Sequence, residues 1–185
     1  ESIMAPSLAT LNAGAVTGNV RLGLDDVADN ITVTTGSGND NIERTDGSTN
    51  FTISTGLGND TVGAGGGNDN INLGDGTDLV QYASADLDDF DTVNGGAGTD
   101  TIQITSGGLT ENDDDFFFKI SGVETWLLND DTDTLTLGNI AQSSGLQRIS
   151  LGNGNNLVTL AASYSSALEL TLGTASDDTV NAGLS

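Results

Sequence analysis

The chain has no cysteine and no histidine, a single proline, a single tryptophan, and only four lysine and arginine residues together. Without cysteine there can be no disulfides and no thiolate metal centres, a usage that fits secreted bacterial proteins folding after export. Without histidine there is neither an HExxH zinc site nor a Ser-His-Asp triad, and the chain is expected not to be an enzyme. Four basic residues cannot build the positive surface that nucleic acids require. No apolar run approaches the roughly 18 residues of a membrane-spanning helix. The opening ESIMAPSLAT lacks the basic start and apolar core of a signal peptide, and both ends read as cut from something larger.

What the sequence does have is acid and glycine. Twenty-seven Asp and Glu against four basic residues give a formal charge of −23 over 185 residues, and 26 residues are Gly. Acid-rich disordered chains usually lack regularly placed Val, Ile and Leu; here those residues recur at fixed intervals. The clearest case is Thr55–Gln81, TGLGNDTVGAGGGNDNINLGDGTDLVQ, which divides into three nine-residue blocks in one phase. The second and fourth positions are Gly (Gly56 and Gly58, Gly65 and Gly67, Gly74 and Gly76). The sixth is Asp (Asp60, Asp69, Asp78) and the eighth an aliphatic (Val62, Ile71, Val80). Closely spaced Gly makes a tight turn, and the polar–aliphatic–polar triplet after it makes a short strand with its middle side chain inward.

Two such blocks form one coil of a parallel solenoid, which stacks Val62 under Val80 and Ile53 under Ile71. The same stacking brings Asp60 beside Asp78. Carboxylates in register repel one another unless a cation lies between them. A site made only of carboxylate and carbonyl oxygen selects calcium over zinc or copper.

These blocks resemble the GGxGxDxUx nonapeptide of the RTX (repeats-in-toxin) calcium-binding β-roll family over Thr35–Gln103. The resemblance implies an all-β parallel β-roll whose positions one to six hold ions between successive coils. It assigns metal binding to Gly36, Gly38 and Asp40; to Gly56, Gly58 and Asp60; to Gly65, Gly67 and Asp69; to Gly74, Gly76 and Asp78; to Asp91; and to Gly96, Gly98 and Asp100. Assigning blocks alternately to two edges puts Asp40, Asp60, Asp78 and Asp100 on one and Asp69 and Asp91 on the other. About four ions follow, shared between neighbours along each edge.

Residues 1–34 read as a cap or lead-in, with short strands around Val20–Leu24 and at Ile31 and Val33. Residues 35–103 are the repeat proper. Within it, Phe51 stands where Asp belongs, so its edge position should lack a full site. Four extra residues, Tyr82–Ala85, lengthen a coil, and Ile71–Val93 and Val80–Ile102 are consequently the same interval. Residues 104–185 read as a continuing solenoid with few metal sites. Within them Ser106–Phe118 is a loop whose three Phe side chains fold over the core and whose run Asp113–Asp115 is solvated. Trp126, in ISGVETWLL, is a core or capping residue, and that stretch resembles a segment following such blocks in bacterial surface-layer proteins. The intervals Leu128–Ile149, Leu137–Val158, Ile149–Leu170 and Val158–Val180 suggest coil spacings. Asn156 replaces the ligand Asp, and Asp178 restores it.

The reading that combines these features is an extracellular structural module of a bacterial surface-layer or surface-filament protein, folding on calcium after export and assembling with its own copies. The alternative is the calcium-folding region of a secreted adhesin, toxin or enzyme.

Overall fold

A computed structural model describes residues 8–25, 27, 30–44, 48–111, 115–174 and 177–183. The chain is an all-β solenoid of parallel sheets. The first sheet stacks Thr10–Asn12, Ile31–Thr34, Phe51–Leu57, Asn70–Gly76, Thr92–Gly98 and Ile120–Ser121. The second stacks Arg21–Gly23, Asn41–Glu43, Thr61–Gly63, Leu79–Ala83, Thr101–Ser106, Thr125–Leu127, Arg148–Ser150 and Glu169–Thr171. Each coil contributes one strand to each sheet through its first five turns, and the alternation of apolar and polar residues sends every second side chain inward.

The coil period is read from the register. Val62 pairs with Val80 and Ile53 with Ile71, as the repeat predicts; Ile71 pairs with Val93 and Val80 with Ile102 across the longer coil. Val62, Ile71, Val80, Val93 and Ile102 are all completely buried, forming stacked aliphatic rows. The glycines keep these rows at sheet spacing. A Cβ on Gly76 would lie 1.8 Å from the Gly58 carbonyl oxygen, and one on Gly98 would lie 1.6 Å from that of Gly76, a position with φ of 140°. Only Gly lets the turns approach this closely.

The C-terminal part departs from the expected continuation. The first sheet stops at Ile120–Ser121, and a third sheet of Thr110–Glu111, Thr134–Leu137, Leu157–Leu160 and Thr179–Ala182 takes over. A short α-helix, Asn139–Ser143, also lies within this part. Two of the expected spacings are wrong by two residues. Ile149 pairs with Trp126 rather than Leu128, and Val158 with Leu135 rather than Leu137, although Trp126, Leu128, Leu135 and Leu137 are all buried. The Ile149–Leu170 and Val158–Val180 pairings are as expected.

The segment expected as a loop contains a 3₁₀ helix, Asp115–Lys119. Phe117 packs on the buried Trp126 with ring centroids 5.1 Å apart, while Phe118 is 76% exposed and does not fold over the core as expected; the Phe116 side chain lies outside what is described. Of the run Asp113–Asp115, residues 113 and 114 lie outside the described residues. No helix among the described residues is long and apolar enough to cross a membrane.

Candidate metal centre

The turns between strands deliver an Asp to the edge of the solenoid, preceded by Asn39, Asn59 and Asn68 at Asp40, Asp60 and Asp69 and by Thr77 and Thr99 at Asp78 and Asp100. On the first edge the Asp side chains form a continuous ladder. The N–H of Val20 donates to Asp40 Oδ1 at 2.7 Å, that of Asp40 to Asp60 Oδ1 at 2.7 Å, and that of Asp60 to Asp78 Oδ1 at 2.7 Å. The N–H of Asp78 donates to Asp100 Oδ1 at 2.9 Å. The second edge repeats this: the Phe51 N–H donates to Asp69 Oδ1 and the Asp69 N–H to Asp91 Oδ1, each at 2.8 Å. The pairs Asp40/Asp60, Asp60/Asp78, Asp78/Asp100 and Asp69/Asp91 are therefore neighbours, on the two edges the sequence assigned them.

The ladder uses only one oxygen of each carboxylate. The second oxygens of Asp40, Asp60, Asp69, Asp78 and Asp100 are buried and receive no hydrogen bond. Asp91 differs, because its Oδ2 accepts the Asp88 N–H at 2.9 Å. Burial is the main force raising the carboxyls of Asp60, Asp69, Asp78, Asp91 and Asp100. It lifts Asp69 from 3.8 to about 7, with Asp91 adding repulsion against the opposing Phe51 hydrogen bond and Arg44. Burial likewise lifts Asp78 to about 6, with the charges of Asp100, Asp60 and Asp75 adding to it. Asp91 is lifted to about 6 by burial and, less, by Asp88. Asp60 and Asp100 are also raised, again mainly by burial. A carboxylate that resists ionisation and has a spare buried oxygen lacks a positive partner.

The glycines complete the turns. Gly36, Gly56, Gly74 and Gly96 stack in one column and Gly38, Gly58, Gly76 and Gly98 in a second, each meeting the backbone of the coil before it. On the second edge Gly65 is buried and Gly67 abuts the Thr49 backbone. Among the described residues no three acidic side chains come close enough to hold an ion by themselves. A hard cation would draw on carboxylates from two coils and on turn carbonyls, and this oxygen-only set with spare buried acceptors fits calcium.

Phe51 marks the position expected to lack a site. It is buried, and the Arg44 guanidinium lies over its ring at 4.6 Å. A side-chain cation therefore occupies this end of the second edge.

Two parts of the edges escaped the nine-residue pattern. Glu124 extends the first ladder by accepting the Asp100 N–H at 2.8 Å, and Asp133 belongs to a third edge beside the third sheet. The signal for both was available: each acid lies two residues before an inward side chain, Trp126 or Leu135, as Asp60 lies before Val62. Glycine spacing was the misleading criterion, since neither turn has it. Compared with known proteins, the chain matches no family model, no curated protein and no solved structure.

Proposed function

We propose that this chain is a calcium-dependent structural module of the RTX type, from a bacterial surface-layer or surface-filament protein, which folds outside the cell. The observation that carries this reading is the set of buried second oxygens on Asp40, Asp60, Asp69, Asp78 and Asp100, which have no hydrogen-bond donor. Asp40, Asp60, Asp78 and Asp100 would hold ions along the first edge, and Asp69 with Asp91 along the second. Calcium supplies positive charge at the places where a chain of −23 is most crowded with acid. Ions that bind only the stacked turns stabilise them by mass action.

Calcium affinities of extracellular modules lie around 10⁻⁴–10⁻³ M. The low calcium inside a cell would leave the fold only marginally stable, and export would supply the ion that secures it. Circular dichroism during a calcium titration tests this, with β-structure and melting temperature both expected to rise with calcium. A β-rich spectrum and melting temperature indifferent to excess chelator would overturn the reading. Electron microscopy of the calcium-loaded protein tests assembly: sheets or filaments support a surface module, and a persistent monomer supports a calcium-folding region of some other secreted protein.

A further inference from the structure

The third edge contains an Asx column that the nine-residue repeat does not reach. Asn156 lies in its middle, buried, with its Oδ1 accepting the Asp133 N–H at 2.9 Å. Its amide nitrogen is held by three oxygens. It donates to the Gly154 carbonyl at 3.0 Å, to the Gly152 carbonyl at 3.3 Å and to Asp178 Oδ1 at 3.1 Å. Two turn carbonyls and a carboxylate from the next coil are surroundings suited to a positive charge, and here a neutral NH₂ group with two N–H donors fills them.

One coil earlier, Asp133 holds the equivalent place. The register pairs Thr134 with Leu157 and Leu135 with Val158, so the two Asx residues stack. Asp133 Oδ1 accepts the Leu109 N–H at 2.7 Å, repeating the bond that Asn156 Oδ1 makes. The remaining atom differs. Asp133 Oδ2 corresponds to the Asn156 amide nitrogen, yet it is an acceptor, and it is buried without a donor on a residue with no exposed surface.

The backbone around Asp133 also repeats that around Asn156. A Cβ on Gly152 would lie 1.6 Å from the Asn129 carbonyl oxygen, and one on Gly154 would lie 1.9 Å from that of Asp131. The carbonyls of 129 and 131 thus stand to Asp133 as those of 152 and 154 stand to Asn156. The nearby acids already have donors. Asp130 Oδ1 accepts the Asn153 N–H and amide, and Asp131 Oδ2 accepts the Gly107 N–H and the Asn129 amide.

We propose that Asp133 is the carboxylate of a further site for a hard divalent cation such as calcium, and that one coil on the Asn156 amide takes the cation's place. The donors are all oxygen, which favours such an ion. With one carboxylate instead of two, the site is weaker than those on the first edge, because ligand charge sets affinity. The choice of calcium rests on the function proposed above; the pairing of an orphaned acid with a self-satisfied amide does not.

Calorimetric titration with calcium chloride, together with melting in excess chelator, tests the assignment on the full chain. Asp133→Asn should bind one ion fewer than the parent and melt higher in chelator, because its amide can make the bonds Asn156 makes. Asn156→Asp should bind one ion more and melt lower in chelator, with the loss restored by calcium. Asp60→Ala reports separately on the first edge. Unchanged stoichiometry in Asp133→Asn alongside a reduced one in Asp60→Ala overturns the third-edge site while leaving the proposed function intact. Failure of Asn156→Asp to gain an ion overturns it independently, and a parent that binds no calcium overturns both.

Discussion

Replacing Asp78 with Asn should change stability in opposite directions with and without calcium. In the parent, Asp78 Oδ1 accepts the Asp60 N–H at 2.7 Å, while Oδ2 is buried without a donor. Asn keeps the first bond through its carbonyl oxygen and turns the second atom into a donor, as Asn156 does toward Gly152 and Gly154. An unsatisfied buried polar atom costs about 1–3 kcal/mol. In excess chelator at neutral pH the variant should therefore be more stable than the parent by that amount, which raises the melting temperature by about 2–4 °C per kcal/mol for a chain of this length. In saturating calcium the sign reverses. Asp78 stands between Asp60 and Asp100, so its charge serves two ions. An ion present at a hundred times its dissociation constant stabilises by about 2.7 kcal/mol, so weakening both removes up to about 5 kcal/mol. Thermal melts followed by circular dichroism, run in chelator and in millimolar calcium, give both numbers. A change of the same sign in the two buffers refutes the reasoning, since it would mean the second oxygen faces neither repulsion nor an ion.

Acidification should stabilise the calcium-free fold, the reverse of ordinary acid denaturation. Asp69 is raised to about 7 and Asp78 and Asp91 to about 6, so between pH 4 and 7 the folded state holds protons that the unfolded chain releases, and stability is lost as pH rises through that window. Urea midpoints in chelator at pH 5 and pH 7.5 check this; a lower midpoint at pH 5 contradicts it. Val80→Asp would bury an unpaired charge in a fully enclosed row, costing several kcal/mol and unfolding the chain even in calcium; a parent-like melt would show the strand phase to be wrong. Gly76→Ala should destabilise by more than 1 kcal/mol, because its Cβ would lie 1.8 Å from the Gly58 carbonyl oxygen, whereas at Gly18 a Cβ meets nothing within 4 Å. Equal melting of Gly76→Ala and Gly18→Ala would argue against the close stacking of turns.

The two-edged roll between Thr35 and Gln103 was legible because its rules are local. Glycine spacing sets the turn, and the acid two residues before an aliphatic sets both the edge and the inward row. Even the longer coil was readable, since the strand phase is the same on both sides of it, although Tyr82 and Ala83 extend the strand Leu79–Ala83 and only Ser84 and Ala85 lie in the turn. The C-terminal part was less legible for a physical reason. There large side chains, Trp126 and Phe117 above all, enter the core, and a third sheet and a helix join the coil. Trp126 and Leu128 are both buried, as are Leu135 and Leu137, so no interval along the chain says which of each pair is in register with the next coil. The sequence also located the carboxylates without showing their chemistry. That one oxygen of each is spent on the preceding coil, leaving the other free, follows from hydrogen bonds across 18 to 22 residues.

The edges carry a second ladder whose direction is opposite to that of the acids. The Asn59 N–H donates to Asn39 Oδ1 and the Thr77 N–H to Asn59 Oδ1, so on the first edge Asn39 and Asn59 reach toward the coil after them, while Asp60, Asp78 and Asp100 reach toward the coil before. A coil thus has two unlike faces, one offering carboxylate oxygens and the other the amide hydrogens that fit them. Two acid-bearing faces set together would oppose carboxylates, so copies that stacked end-on would do so head-to-tail, a contact that propagates as an open fibre instead of closing into a symmetric pair.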